Sequence, residues 1–379
     1  MQIDVSTIII GAGPGGLACG ACLKKIGEEF RILDRAAQVA DSWRHHYDRL
    51  HLHTHKKLSN LPYLPFQSEL PGYPSRDQVV GYLERYVGHH DLKIDLNSEV
   101  ERVTAEDHSV LVTTNHGSIR ARSVVIATGN TKDPHLVSKS GMESFSGEVI
   151  HSAEYVNGKP YRDKNVLVIG FGNSACEIAM CLEEHGAKPA MSVRSPVNIV
   201  PRDIFGIPAL GIGIVTDFLP PKLVDWLTAP VIRSKIGDLK RYGLEELPYG
   251  PKVQIVRYGQ IPVLDIGIVE LLKQGKVRIY GDILEVNGAE VIFEKNKRSS
   301  FDAIIMATGY DHGLERIIDL SRERLKDIRR PIAERKLLGQ DRIYFCGFYV
   351  SPNGMLREVG IEAGHIARDI SKLTYNGRS

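Results

Sequence analysis

The stretch from Thr7 to Gly16 reads TIIIGAGPGG. A short apolar β run stops at a cluster of glycines, and LACGACLKKIG follows as a helix. Phe30 to Leu33 is a second β run, closed by Asp34. Strand, glycine turn, helix, strand is a mononucleotide-binding unit that opens a parallel sheet. Gly11, Gly13 and Gly16 complete G-x-G-x-x-G. The first glycine permits the tight turn, the second lets backbone approach a pyrophosphate, and the third lets helix and strand close together. Pro14 opens the helix, whose N-terminus offers N–H donors and positive dipole. Asp34 lies 23 positions after Gly11, where a carboxylate can bond both ribose hydroxyls.

The same plan recurs in the middle of the chain. Asn165 to Ile169 (NVLVI) is an apolar strand, GFGNSA is the turn, CEIAMCLEEHG is a helix, and Ala190 to Val193 is the next strand. Gly170 and Gly172 hold the first two glycine places, Ala175 takes the third, and Asn173 and Ser174 sit in the turn. Twenty-four positions after Gly170 stands Arg194, with Ser195 next and Arg202 nearby. A carboxylate there would repel a 2′-phosphate, whereas a guanidinium binds one bidentately. The first turn therefore reads as built for FAD and the second for NADPH. Two further strand ends resemble each other, Ala127-Thr-Gly129-Asn130 and Ala307-Thr-Gly309-Tyr310. The expected architecture is α/β, with two dinucleotide-binding (Rossmann-like) domains. The NADPH domain (161–289) is inserted in an FAD domain made of 1–160 and 290–379.

Composition narrows the class. With 379 residues the chain holds about two domains, at roughly 100–200 residues each. Hydrophobic residues make up 42% and charged residues 25%, which excludes wholesale disorder. A net charge of +2 makes no electrostatic case for nucleic acid. The longest apolar run, Ile204 to Val215, is too short for a membrane span and is broken by Pro208. The N-terminus enters a strand pattern without a basic region or cleavage site, so no secretory signal is expected. The five cysteines, Cys19, Cys22, Cys176, Cys181 and Cys346, are too dispersed for a disulfide framework, and a reducing cytoplasm fits. The charged stretch Leu320 to Lys336 reads as a solvated helix and loop.

Between the two turns, Phe145-Ser-Gly147-Glu-Val-Ile-His151-Ser-Ala-Glu-Tyr155 matches F-x-G-x-x-x-H-x-x-x-[FY]. This resembles the fingerprint of class B flavin-dependent monooxygenases, and GAGPGG, GFGNSA and ATGY stand in that family's order. Tyr47-Asp-Arg-Leu50, Leu58-x-x-Leu-Pro-x-x-Pro-Phe66 and Val263-Leu-Asp-Ile-Gly267 are most similar to the plant YUCCA indole-3-pyruvate monooxygenases. The resemblance implies that NADPH reduces the flavin, that O2 adds at its C4a carbon, and that the resulting (hydro)peroxide oxygenates a small molecule. The favoured reaction is oxidative decarboxylation of an aryl 2-oxo acid such as indole-3-pyruvate. N- or S-oxygenation and Baeyer–Villiger oxidation are the alternatives, and a pyridine nucleotide–disulfide reductase is a more distant one.

Carried over residue by residue, the resemblance implies flavin contacts at Arg35, Trp43, Arg44, Leu52, Val100, Gly129, Gly309 and Gly347. His53 falls where animal relatives place an active-site asparagine, and His151 and Asn130 complete the implied catalytic set. Lys56, Arg241 and Arg357 are candidates for a substrate carboxylate. The segment from Ser351 to Gly360 departs from the small-residue run of the YUCCA proteins. The implied partners are a small-molecule substrate and O2, with no nucleic acid and no membrane span; self-assembly is left open.

Three features carry rival readings. His51, His53 and His55 alternate as metal-binding pairs do, yet no nearby carboxylate or cysteine completes a ligand set, so cavity lining is expected and no metal. Cys19 and Cys22 form C-x-x-C, but on the helix after the first glycines they read as small packing residues. Ile204 to Trp226 reads as core or lid packing ahead of membrane contact, because it carries no basic cluster.

Overall fold

The computed structural model describes residues 2–131, 133–204, 206–335 and 339–376. The chain divides into two compact units: one of 1–44, 54–133 and 311–379, the other of 45–53 and 134–310.

The first unit contains β1 (Val5–Ile10), α1 (Pro14–Lys25), β2 (Phe30–Leu33), α2 (Arg76–His90), β3 (Ile94–Asp95), β4 (Val100–Ala105), β5 (Val110–Thr114) and β6 (Gly117–Ile126). Its sheet runs β3-β2-β1-β6-β5-β4, and the strand Ile343–Phe345 also pairs with β6. β1 is parallel to β2 and β6, with Ile9 opposite both Ile32 and Val125. It is buried on both faces, which is why it ends in the apolar run Ile8–Ile10, while the buried Thr7 hydroxyl is met by that of Ser123 at 2.9 Å. On the edge away from β1, β6 serves two neighbours in turn. Its Gly117–Ala121 half pairs antiparallel with β5, and Val124–Ile126 pairs parallel with Ile343–Phe345. α1 lies close to the sheet because its buried residues are small; a Cβ on Gly20 would come within 2.9 Å of Ile32. α2 starts at a reciprocal cap, the Ser75 hydroxyl accepting from the Gln78 N–H and the Gln78 side chain from the Ser75 N–H.

The second unit contains β7 (Glu148–His151), β8 (Asn165–Ile169), α3 (Asn173–Glu184), β9 (Lys188–Ser192), α4 (Ala209–Val215), α5 (Pro221–Ile236), α6 (Pro251–Tyr258), β10 (Arg278–Tyr280) and β11 (Ala303–Met306). Its sheet is parallel throughout, in the order β10-β9-β8-β11-β7. This unit is wider than the stretch 161–289 read from the sequence. The reason is pairing: β8 needs β11 on its free edge, and β11 in turn carries β7.

Two sequence expectations change here. Core packing does not describe the region after Ile204. α4 has no fully buried residue, and Val215, Phe218 and Trp226 are 73%, 82% and 71% exposed. Nor is the stretch from Leu320 wholly solvated, since Arg324, Asp327 and Arg335 are buried. Lys336, its last residue, lies outside the described residues. Among the described residues no helix is long and apolar enough to cross a membrane.

Candidate cofactor and catalytic site

The two glycine turns are built alike. Gly11 has φ +109° and a Cβ on it would lie 2.6 Å from the Ala127 carbonyl oxygen. Gly170 has φ +118° and would meet the Ala307 carbonyl oxygen at the same 2.6 Å. Only glycine tolerates both the left-handed backbone and that approach. The second glycines differ from the first: Gly13 and Gly172 have ordinary φ, and a Cβ on either would meet nothing within 4 Å. Each is the N-cap of its helix, and no side chain caps the first turn there. An uncapped helix N-terminus facing open space fits a pyrophosphate. Gly16 is pressed against the turn, its missing Cβ 1.8 Å from the Gly11 carbonyl oxygen, whereas Ala175 keeps a buried methyl.

The residues beyond the turns distinguish the two sites. The Asp34 carboxylate accepts from the Ala12 N–H at 2.5 Å and the Ala36 N–H at 2.8 Å. It is thereby fixed at the strand end with acceptor capacity to spare. Arg194 and Ser195, at the corresponding end of β9, are exposed, and among the described residues no carboxylate pairs with Arg194. Arg202 is half-buried and pairs with Asp203 at 3.1 Å.

In the first unit, Asn130 donates through Nδ2 to the Gly347 carbonyl at 2.9 Å, and Gly129 and Gly347 both have positive φ. The Gly347 N–H donates to Glu362 at 2.5 Å, and Glu362 pairs with Arg335 at 2.5 Å, both side chains almost fully buried. Arg335 also donates to the Phe345 carbonyl at 2.6 Å. The Gly347 turn is thus held from both sides. Burial, foremost, pushes the Glu362 carboxyl up, while Arg335 opposes it. Arg44 donates to the Val39 carbonyl at 3.0 Å and pairs with Glu84 at 2.5 Å; Trp43 is half-buried, Arg35 exposed, and Val100 part of the core.

In the second unit the F-x-G-x-x-x-H-x-x-x-Y segment has a physical reading. A Cβ on Gly147 would lie 2.3 Å from the Asp302 carbonyl oxygen, so this glycine lets β7 close on β11. His151, 2% exposed, accepts the Ala153 N–H at Nδ1 (3.1 Å) and donates from Nε2 to the Gly309 carbonyl (3.2 Å). Its ring is therefore the neutral Nε2–H tautomer, and burial, foremost, holds its pKa below the ordinary 6.5. With both nitrogens engaged, His151 has none free for a ligand. Through these two contacts His151 holds the Gly309 turn. Tyr155 joins the core, 6.5 Å from the Tyr47 ring. Asn173 accepts from the Leu264 N–H at 2.8 Å, anchoring the second glycine turn.

The segment 45–53 brings Leu52 and His53 to this unit, Leu52 buried. His53 Nε2 faces the Glu177 carboxylate of α3, a residue only 1% exposed that the sequence reading missed. Arg49 lies 3.7 Å from Glu177 and makes a two-pronged pair with Glu184. The Tyr47 hydroxyl faces Ser174 and Glu177, and burial, foremost, keeps it protonated.

The three alternating histidines have separate partners: the Arg49 carbonyl for His51, Glu177 for His53 and the Lys57 N–H for His55. Lys56 drops out as a partner for a substrate carboxylate. Its buried ammonium already donates to the carbonyls of Gln67, Ser68 and Leu70. Arg241 is exposed beside Asp238, and Arg357 is half-buried with no ion pair among the described residues. Cys19 and Cys22 are buried and free, and burial followed by Cys19 pushes the Cys22 thiol up to about 12.

Residues 8–201 match the family model described as pyridine nucleotide-disulphide oxidoreductase. The chain is 36% identical over 374 residues to the indole-3-pyruvate monooxygenase YUCCA1 of Oryza sativa subsp. japonica, covering 96% of this chain and 90% of that protein. It is 38% identical over 316 residues to YUCCA8 of Oryza sativa subsp. indica, covering 80% and 75%. A flavin-containing monooxygenase from Stenotrophomonas maltophilia superposes with a TM-score of 0.73 at 20% identity, covering 98% of this chain and 100% of that one. The open form of cyclohexanone monooxygenase gives 0.74 at 20% identity, covering 100% and 89%. These two likenesses establish the fold. With sequence identity sustained across nearly its whole length, the chain belongs to the YUCCA family of flavin-containing monooxygenases.

Proposed function

We propose that this enzyme uses FAD and NADPH, with the NADPH domain inserted in the FAD domain. We further propose that it converts an aryl 2-oxo acid such as indole-3-pyruvate into the acid one carbon shorter. The observation that carries the cofactor reading is the contrast between two matching glycine turns, one followed by the fixed carboxylate of Asp34 and the other by the exposed Arg194. The substrate class is supported by the relatives named as indole-3-pyruvate monooxygenases.

Bound FAD would supply the redox chemistry, accepting a hydride from NADPH and delivering oxygen from O2. The chain's own residues bind and orient. The N-termini of α1 and α3 take the two pyrophosphates, Asp34 the ribose hydroxyls of FAD, and Arg194 the 2′-phosphate of NADPH. Asn130 and Glu362 fix the Gly347 turn. His53, with Nε2 on Glu177, keeps Nδ1 to hold or move a proton beside the substrate. With Lys56 committed to backbone carbonyls, Arg241 and Arg357 are the cations left for the substrate carboxylate. In balance, one 2-oxo acid, one O2, one NADPH and one proton give the shorter acid, CO2, water and NADP+.

The test is turnover under 18O2 with mass spectrometry of the product. Indole-3-pyruvate or phenylpyruvate is expected to yield the corresponding acetate carrying one labelled oxygen, with one CO2 per NADPH. If 2-oxo acids give only hydrogen peroxide while a sulfide or amine is oxygenated, the substrate reading fails.

A further inference from the structure

α3 is apolar where it faces the core, with Cys176, Ile178, Ala179 and Leu182 all buried. Glu177 sits among them with a side chain 2% exposed. A carboxylate in that position costs several kcal/mol unless it is paired. One oxygen faces His53 Nε2, and Arg49 stands 3.7 Å from the other. That second oxygen is buried without a hydrogen-bond partner. Arg49 is itself committed to Glu184, two turns along the same helix. His53 and the Tyr47 hydroxyl are the hydrogen-bond donors that the described residues turn toward this carboxylate, and His53 Nε2 is the one on its first oxygen.

We infer that Glu177 is the positioning residue of His53, selecting its tautomer and aiming its second nitrogen. An ionised carboxylate only accepts, so Nε2 carries the proton and Nδ1 is the bare nitrogen whenever the ring is neutral. Turning the ring over would break its bond to Glu177, leaving that buried carboxylate with only Arg49 and the Tyr47 hydroxyl beside it. The anchor also has a meaningful address. Glu177 is one helical turn from Ser174 of the second glycine turn, and the Tyr47 hydroxyl faces both. His53 is thus referenced to the helix whose N-terminus is proposed to hold NADPH. The inference rests on the proposed catalytic role of His53.

The experiment uses the FAD-loaded enzyme and two readouts. Imidazole 15N NMR of His53 at pH 8 is expected to show a single Nε2–H tautomer in the wild type and a mixture in Glu177→Gln. Coupled product per NADPH is expected to fall about tenfold in Glu177→Gln, the scale seen when a group orienting an active-site histidine is lost. NADPH KM is expected to stay within about twofold. Glu177→Asp is expected to restore the single tautomer in part. In the His53→Ala background, Glu177→Gln is expected to add no more than about a twofold loss. Full coupling with an unchanged tautomer in Glu177→Gln, or losses that multiply in the double variant, overturns the inference. Intact coupling in His53→Ala overturns it too, and locates the error in the reading of His53. Should Glu177→Gln not fold, an Nδ1–H or mixed tautomer in the wild type is itself decisive against the proposal.

Discussion

Gly11 and Gly13 stand two residues apart and fail for opposite reasons when replaced. Gly11→Ala places a methyl 2.6 Å from a backbone oxygen in a left-handed conformation, so a stability loss of about 1–3 kcal/mol is expected in thermal unfolding. A Cβ on Gly13 meets no protein atom within 4 Å, so Gly13→Val is expected to be folded but colourless, because its side chain fills the place of the pyrophosphate. Flavin absorbance against melting temperature separates the two, and a yellow Gly13→Val protein refutes the site. Arg194→Ala is expected to weaken NADPH by about 1.5–3 kcal/mol while leaving NADH nearly unchanged; equal loss of both defeats the assignment. For His151 the sign of the pH effect follows from its depressed pKa. The unfolded chain binds a proton near 6.5 and the native ring does so only at lower pH. Its contribution is therefore complete above that value and is lost as pH falls below it. Melting temperature is expected to drop more steeply from about pH 7 to about pH 5 in the wild type than in His151→Gln. These residues differ in how they could be read from sequence. A glycine forced by a close approach leaves its mark at a fixed spacing, and Asp34 and Arg194 sit at a countable distance beyond it. Glu177 shows only as one acid inside CEIAMCL, and its partner is 124 residues away, beyond the reach of any local pattern.

Elements follow the same division. β1, α1, β2, β8 and α3 were legible because continuous apolar runs and glycine turns specify buried parallel strands and the helices that cross them. The length of the second unit was not, because whether β7 and β11 join one sheet or another depends on pairing that no local run encodes. The charged stretch from Leu320 misled for a physical reason: charge in sequence says nothing about whether a partner waits inside. Arg335 and Glu362 find each other in the interior and carry the Gly347 turn between them. Glu362→Ala is expected to cost about 3–5 kcal/mol, since it leaves a buried guanidinium uncompensated. Arg335→Met combined with Glu362→Leu is expected to recover much of that loss in chemical denaturation, yet not the flavin affinity if the turn is released.

At the scale of the whole molecule, the backbone passes from one unit to the other after Arg44, His53, Asp133 and Tyr310. The short segment 45–53 is a working part of the second unit. Tyr47 is 3% exposed within its core, and the Asp48 N–H donates to the Val156 carbonyl at 2.9 Å. Residues 134–310 expressed alone are therefore expected to be unfolded or aggregated, as seen by circular dichroism and gel filtration, despite holding every strand of their sheet. A stable isolated fragment would show that the segment is dispensable. The interlacing has a consequence for descent. No single cut in the gene releases either half intact, because the first unit is assembled from three separated stretches and the second from two. Shuffling cannot trade one nucleotide module for a foreign one, so changes of coenzyme or substrate in this lineage must arise by substitution in place, with both halves inherited as one.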